Sequence, residues 1–62
     1  MTKEDELIND ILFEEKSYKN LVAEIMRRNK KGMNYAKGLI KKWIQEQKIE
    51  KTDTGYIVKN PF

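Results

Sequence analysis

The apolar positions of this chain recur with helical spacing in three consecutive segments. Leucine, isoleucine, valine and methionine follow one another at intervals of three or four residues, which places their side chains on one face of an α-helix. Thr2 with Asp5 forms a capping-box pattern before the first segment, and Ser17 can cap the second. We therefore predict helices over residues 3–15, 18–29 and 34–47.

The segments between and after these helices carry turn and strand signals. Gly32 suits the left-handed backbone that closes the second helix, and Asn34 can cap the third. Residues 16–18 could alternatively form a short strand before the second helix. After the third helix the spacing becomes alternating, which predicts a β-hairpin over residues 49–59. Its turn ends at Gly55, which suits a positive φ.

The hairpin has to pack on the helices, because an isolated two-stranded hairpin is barely stable in water. Pro61 is expected to end its second strand. The following side chains are predicted to pack in the core: Tyr18, Met33, Trp43, Ile49, Tyr56 and Val58.

Charge is distributed unevenly along the chain. The first 26 residues hold three basic and seven acidic residues, a net charge of −4, whereas residues 27–62 hold ten basic and three acidic ones, a net charge of +7. Between residues 27 and 42 there are seven basic side chains and no acidic one. The second half of the chain is therefore expected to attract polyanions, and the first half to repel them.

Several function classes are disfavoured by composition. The chain of 62 residues has no cysteine and no histidine, so it lacks disulfides, the usual zinc ligands and the common nucleophile–base pairs. The acidic residues of the first segment are better explained as a solvated helix face than as a metal site. We expect a cytoplasmic protein with one domain, no cofactor, no metal, no enzymatic activity and no contact with a membrane.

The order helix, helix, turn, helix, hairpin resembles the winged helix-turn-helix superfamily. The resemblance is carried by five stretches that together cover most of the chain: residues 18–25, 32–37, 39–44, 49–51 and 55–58. It implies an α+β fold over residues 1–62, with three helices and a C-terminal two-stranded β-hairpin as the wing. It also implies that the third helix enters the major groove of DNA.

The outward side of the third helix follows from its helical angles once Trp43 is taken as the centre of the buried side. Asn34, Tyr35, Lys37 and Lys41 are then the candidates for contacts with bases, because lysine can donate to guanine and asparagine can pair with adenine. A solvated polar face is the alternative. The further candidates on this face or at its flanks, on the end of the second helix and on the wing are these: Arg27, Arg28, Lys30, Lys31, Gly38, Lys42, Gln45, Lys51, Thr52 and Thr54.

Gly38 is unexpected within a helix, where glycine costs roughly 0.5–1 kcal/mol relative to alanine. Two explanations are open. A partner backbone could approach the helix closely at this point, or the neighbouring turn could contact it.

Two functions are carried forward. The first is a small DNA-binding protein, with duplex preferred over single-stranded DNA, in transcription regulation or in replication of a phage or mobile element. The second is a protein-interaction module, an accessory subunit of a polymerase, primase or helicase. A homodimer through the first helix is a further hypothesis, because its apolar residues outnumber the needs of a small core and Phe13 lies beside them.

Overall fold

The computed structural model describes residues 2–59, which form three helices followed by a two-stranded antiparallel hairpin. This is the predicted α+β layout. Pro61, the expected end of the second strand, lies outside the described residues. No helix in the described range is long and apolar enough to cross a membrane. The elements in chain order are α1 (Lys3–Ile11), α2 (Tyr18–Asn29), α3 (Met33–Gln45), β1 (Ile49–Lys51) and β2 (Tyr56–Val58).

Helix α1 begins as predicted and ends earlier than predicted. Thr2 and Asp5 form the full capping box, each side chain accepting from the other residue's backbone N–H. The helix stops at Ile11 instead of residue 15, and Leu12 leaves the helical conformation while its side chain remains buried. The segment after Leu12 adds no apolar side chain to the core, because Phe13 is 74% exposed and residues 14–16 are charged.

The connection between α2 and α3 corrects two predictions. The left-handed residue after α2 is Lys30, at φ 55°, and not Gly32, which is extended at φ −79° and precedes α3 as its N-cap. Asn34 therefore lies inside α3 and does not cap it. Helix α2 has the predicted bounds, and Ser17 caps it by accepting from the Asn20 backbone N–H. Helix α3 begins one residue and ends two residues before the prediction, and Gln47 beyond it has a positive φ of 59°.

One core lies between the three helices and the hairpin. Trp43 is fully buried, as predicted, and Ile49 and Tyr56 bring the hairpin into the same cluster, against which Val58 packs. Tyr18 and Met33 were wrongly predicted to be core residues, because each keeps a large part of its side chain in solvent. The buried residues are Ile8, Ile11, Leu12, Leu21, Val22, Ile25, Ala36, Ile40, Trp43, Ile49 and Tyr56.

The wing, comprising β1, β2 and the turn between them (residues 49–58), is held by the segment between α1 and α2. Ile49 pairs with Val58 at one end of the hairpin register. Lys16 exchanges two backbone hydrogen bonds with Tyr56, with N···O distances of 3.2 and 2.8 Å. The alternative of a strand before α2 is thus realised as a single bridge at residue 16. The hairpin gains a third strand position, which helps to explain how so short a wing is held on the helices.

Gly55 has a different role from the predicted one. Its φ is not positive, so the turn does not need glycine for its backbone conformation. A Cβ atom at this position would lie 2.7 Å from the carbonyl carbon of Lys16 and closer still to the carbonyl oxygen. Glycine is therefore required by the close approach of two backbones.

Candidate nucleic-acid interface

Helix α3 presents a continuous exposed face on the side opposite its core residues. Ala36, Ile40 and Trp43 define the buried side. The outer face of α3, as the opposite side is called below, consists of Asn34, Lys37, Gly38, Lys41 and Gln45, all of which are exposed. This is the face derived from the helical angles, because burial on α3 follows the 3.6-residue period closely.

Lys37 and Lys41 keep their charges available on this face. Within residues 2–59, neither lysine takes part in an ion pair with an acidic side chain. The helix itself carries no acidic residue from Met33 to Gln45. Tyr35 flanks the outer face toward α1 and is 45% exposed, as predicted. These groups leave a cationic and hydrogen-bonding surface open to a ligand.

Gly38 lies at the middle of the outer face. Apart from its chain neighbours and the backbone of its own helix, no atom of the described chain comes within 4 Å of the position that a Cβ would occupy there. The explanation by contact with the neighbouring turn is therefore wrong for this part of the chain. An exposed glycine in a helix interior weakens the helix, and what it offers in return is a backbone that another molecule can approach closely.

Lys42, which was also predicted to contact nucleic acid, points to the acidic first turn of α1. Its Nζ lies 3.1 Å from Glu4, and Lys48 lies 3.4 Å from Glu4 and 3.0 Å from Asp5. We call these four residues the helix clamp, since they join the first turn of α1 to the end of α3. The Lys42 side chain is 52% exposed, so it can still face a polyanion, but the charge of Glu4 offsets part of its attraction.

The clamp shifts the pKa values of its members. Partial burial would raise the pKa of Glu4, but hydrogen bonds from Lys42 and Lys48 outweigh it and hold the pKa below the ordinary 4.5. The hydrogen bond that Lys48 donates to Asp5 likewise lowers the pKa of Asp5 below its ordinary 3.8. The same bond raises the pKa of Lys48 above its ordinary 10.5. Each shift favours the charged pair.

We expect the clamp to make folding stability depend on pH. The pKa values of both carboxyl groups are lower in the folded than in the unfolded chain. Their contribution to the free energy of unfolding is therefore complete above the unfolded pKa values near 4, and it is lost as the pH falls through the lower, folded-state pKa values. Glu4→Gln should lower the melting temperature at pH 7 by about 3 °C, from a loss of about 0.5 kcal/mol. The loss should shrink toward pH 3, as circular dichroism melts at several pH values would show.

Glu6→Gln is the matched control, since Glu6 is exposed, lies in the same first turn and would lose the same charge. An equal loss in both variants would assign the effect to the helix dipole rather than to the clamp.

The two arginines predicted to contact phosphates share one acidic neighbour. Arg27 and Arg28 both bond to Glu24 on the preceding turn of α2, Arg28 at 3.4 Å. A phosphate would have to compete with this carboxylate for either guanidinium. Lys30 and Lys31, which follow in the turn, are exposed and have no ion pair among the described residues.

The wing threonines are also engaged within the chain. Thr52 donates to Glu15 at 2.5 Å, and Thr54 donates to the other oxygen of the same carboxylate. Hydrogen bonds from Thr52 and then Thr54 lower the pKa of Glu15, so the carboxylate stays charged. These hydroxyls are occupied in tying the wing to the α1–α2 segment, and Glu15 would repel a nearby phosphate. Of the predicted wing ligands, Lys51 is exposed and outside these bonds.

The observation behind the homodimer hypothesis is explained within one protomer. Ile8, Ile11 and Leu12 are buried in the core, and Leu7 packs against it. No surplus apolar stripe therefore remains on α1, although Phe13 beyond its end is exposed. Dimerisation through α1 stays a hypothesis, but an excess of apolar residues on α1 no longer supports it.

Sequence reasoning missed an apolar surface beside the outer face. Tyr18, Met33 and Ile44 are exposed by 41%, 51% and 42% respectively, and they line neighbouring parts of the groove between α2 and α3. The helical angle of Ile44, roughly a quarter turn from the centre of the buried side, was the signal that could have revealed it.

Taken together, the exposed groups can bind anions and apolar surface. Among the described residues, no group of three or more histidine, cysteine, aspartate or glutamate side chains is arranged to hold a metal ion. Comparisons with protein-family models, with curated proteins and with solved structures find no match to this chain.

Proposed function

We propose that this protein binds duplex DNA through the outer face of α3, as a winged helix-turn-helix protein in transcription regulation or in replication of a phage or mobile element. The cytoplasm would be its place of action. The observation that carries the proposal is the pair Lys37 and Lys41, exposed on either side of Gly38 with no ion pair to an acidic group in the described chain. A polyanion would supply the negative charges that these two lysines lack within the described chain.

The arrangement suits insertion of α3 into the major groove. Asn34 lies near the N-terminal end of α3, which is the part of a recognition helix that reaches base edges, and its amide can pair with adenine. Lys37, one turn further, can donate to guanine. Gly38 between the two lysines lets the helix backbone approach the groove without a side chain in between.

Phosphate contacts should come from lysines at both ends of this face. Lys30 and Lys31 lie in the turn before α3, and Lys51 lies at the end of β1. Because Arg27, Arg28 and Lys42 are bonded to glutamates, we assign them a smaller share of the binding free energy. Thr52 and Thr54 contribute by holding the wing in position.

The test is the salt dependence of binding to a fluorescently labelled duplex of random sequence. Neutralising about four phosphates gives a slope near −4 in a plot of log affinity against log salt concentration. Affinity should therefore fall by about two orders of magnitude between 50 and 200 mM NaCl. A single strand of the same length, measured in parallel, should bind more weakly.

Absence of binding to either nucleic acid at 50 mM salt would contradict the proposal. If the single strand binds more tightly, the basic face would still be the binding surface, but insertion of α3 into a major groove would be ruled out.

A further inference from the structure

A groove with almost entirely apolar walls runs between α2 and α3, beside the outer face. Tyr18, Val22 and Met26 line it from α2 at intervals of four residues, and Met33 lines it from the start of α3. The lining continues to Ile44, because Tyr18 borders both parts of the groove. We call this surface the α2–α3 groove. Residues four apart form a ridge along a helix, and such a ridge packs well against an apolar stripe of another helix.

The exposed residues of this groove are unusual for so small a domain. Tyr18, Met33 and Ile44 are large side chains, each more than two-fifths exposed, and Tyr18 lines the groove with Met33 in one part and with Ile44 in the other. Contiguous apolar surface on a small protein commonly marks an interaction site. A duplex, whose surface is lined by phosphates, is a poor counterpart for it.

Three lysines border the groove, and no acidic residue among residues 2–59 lines it. Lys19 lies on the α2 side, Lys37 on the α3 side, and Lys41 further along α3. None of these lysines forms an ion pair with a described acidic side chain. An apolar groove with a cationic rim is complementary to a ligand with an apolar stripe and acidic flanks.

A second copy of this chain does not offer such a ligand among its described helices. The acidic helix is α1, but Ile8 and Ile11 on its apolar side are buried in its own core. Its acidic residues Glu4 and Asp5 are bonded within the helix clamp. The described helices of a second copy therefore do not supply the ligand.

We infer that the α2–α3 groove binds an acidic amphipathic helix of a partner protein. Apolar residues of that helix, spaced by three or four, pack against Val22, Met26 and Met33, while its acidic residues pair with the lysines on the rim. Docking does not depend on DNA binding. A second consequence does rest on the proposed function: because Lys37 belongs to both surfaces, the partner helix and duplex DNA exclude each other.

The experiment uses a designed peptide as the probe. Its helix carries leucine at every third or fourth position and glutamate on the flanks; a second peptide has lysine in place of each glutamate, and a third has serine in place of each leucine. Each is titrated into the ¹⁵N-labelled 62-residue chain, and changes in the amide chemical shifts are followed. We expect shifts centred on Val22, Met26 and Met33 with the first peptide only.

Ala23→Glu tests the location of the site. Ala23 is exposed on α2 and lines the groove, so a glutamate there adds both bulk and a repelling charge. We expect at least a tenfold loss of affinity for the acidic peptide, about 1.4 kcal/mol. Asn20→Glu is the matched control, because Asn20 is exposed on the same helix, does not line the groove and changes the net charge equally. Met33→Gln provides a second test if Ala23→Glu fails to fold.

Several outcomes would overturn the inference. These are equal binding of the lysine-flanked peptide, equal losses in Ala23→Glu and Asn20→Glu, or no shifts in the groove. Concentration-dependent sedimentation that Ala23→Glu abolishes would identify a second copy as the occupant instead. Failure of the DNA proposal is separate, because a protein that binds the acidic peptide and no duplex retains the docking site and loses only the competition.

Discussion

Replacing Gly55 by alanine is expected to detach the wing from the α1–α2 segment and to destabilise the whole domain. The added Cβ would lie 2.7 Å from the carbonyl carbon of Lys16, well inside van der Waals contact. The atoms that it meets are backbone, so no side-chain rotation can relieve the overlap. The two hydrogen bonds between Lys16 and Tyr56 would have to lengthen or break.

The expected cost is about 1–3 kcal/mol, which is typical of overpacking in a well-packed site. It is a large share of the stability of a 62-residue domain. The melting temperature should therefore fall by about 10 °C, as circular dichroism would measure. Amide exchange at Tyr56 should accelerate more than exchange at Ile25 in α2, because the opening begins at the wing.

Gly32→Ala is the control for this substitution. Gly32 has a negative φ, and apart from its chain neighbours no described atom lies within 4 Å of its Cβ position. We expect a smaller loss, of about 0.5–1 kcal/mol, because glycine is preferred to alanine as an N-cap. Equal losses at both glycines would mean that chain flexibility, and not the contact with Lys16, explains the effect at Gly55.

The features that sequence predicts well are those fixed by neighbours along the chain. Helix α2 has its predicted bounds, and both Ser17 and the Thr2–Asp5 pair cap as expected. Caps and amphipathic stripes depend on residues three or four positions away, so the sequence contains all the information that they need. The buried and exposed sides of α3 follow from the same local period.

The turns were harder to predict, because distant segments decide them. Glycine was expected to take the left-handed positions, but Lys30 takes the one after α2, and Gly55 is required by the approach of Lys16. The approach joins positions that lie 39 residues apart in the sequence. A glycine in a turn indicates a constrained position. It does not show whether a positive φ or the close approach of a neighbouring atom is the cause.

The candidate site shows the same limit for charges. Lys41 and Lys42 are adjacent and chemically identical, and both were predicted to bind DNA. Lys42 meets Glu4, 38 residues away in sequence, whereas Lys41 projects to solvent. Charge patterning predicted a basic half of the molecule, but only tertiary structure distinguishes lysines that are already paired from those that are free.

Replacing both Lys37 and Lys41 by alanine is expected to abolish most of the DNA affinity while leaving the fold intact. Both side chains are exposed on α3, and alanine is the best helix former, so the helix should not suffer. If each lysine contributes about 1–1.5 kcal/mol, affinity for a duplex at 100 mM salt falls roughly 30- to 150-fold. The salt slope should change little, because the phosphate contacts are assigned to Lys30, Lys31 and Lys51.

The matched control is Lys3→Ala with Lys59→Ala, which removes the same total charge from exposed positions outside the outer face. It should weaken binding only slightly, through the long-range field, and that effect should vanish at high salt. Equal losses in the two double variants would show that net charge drives association and that α3 is not the reading helix. A large loss in the first pair alone would assign the contact to α3, because both double variants remove two positive charges from exposed lysines.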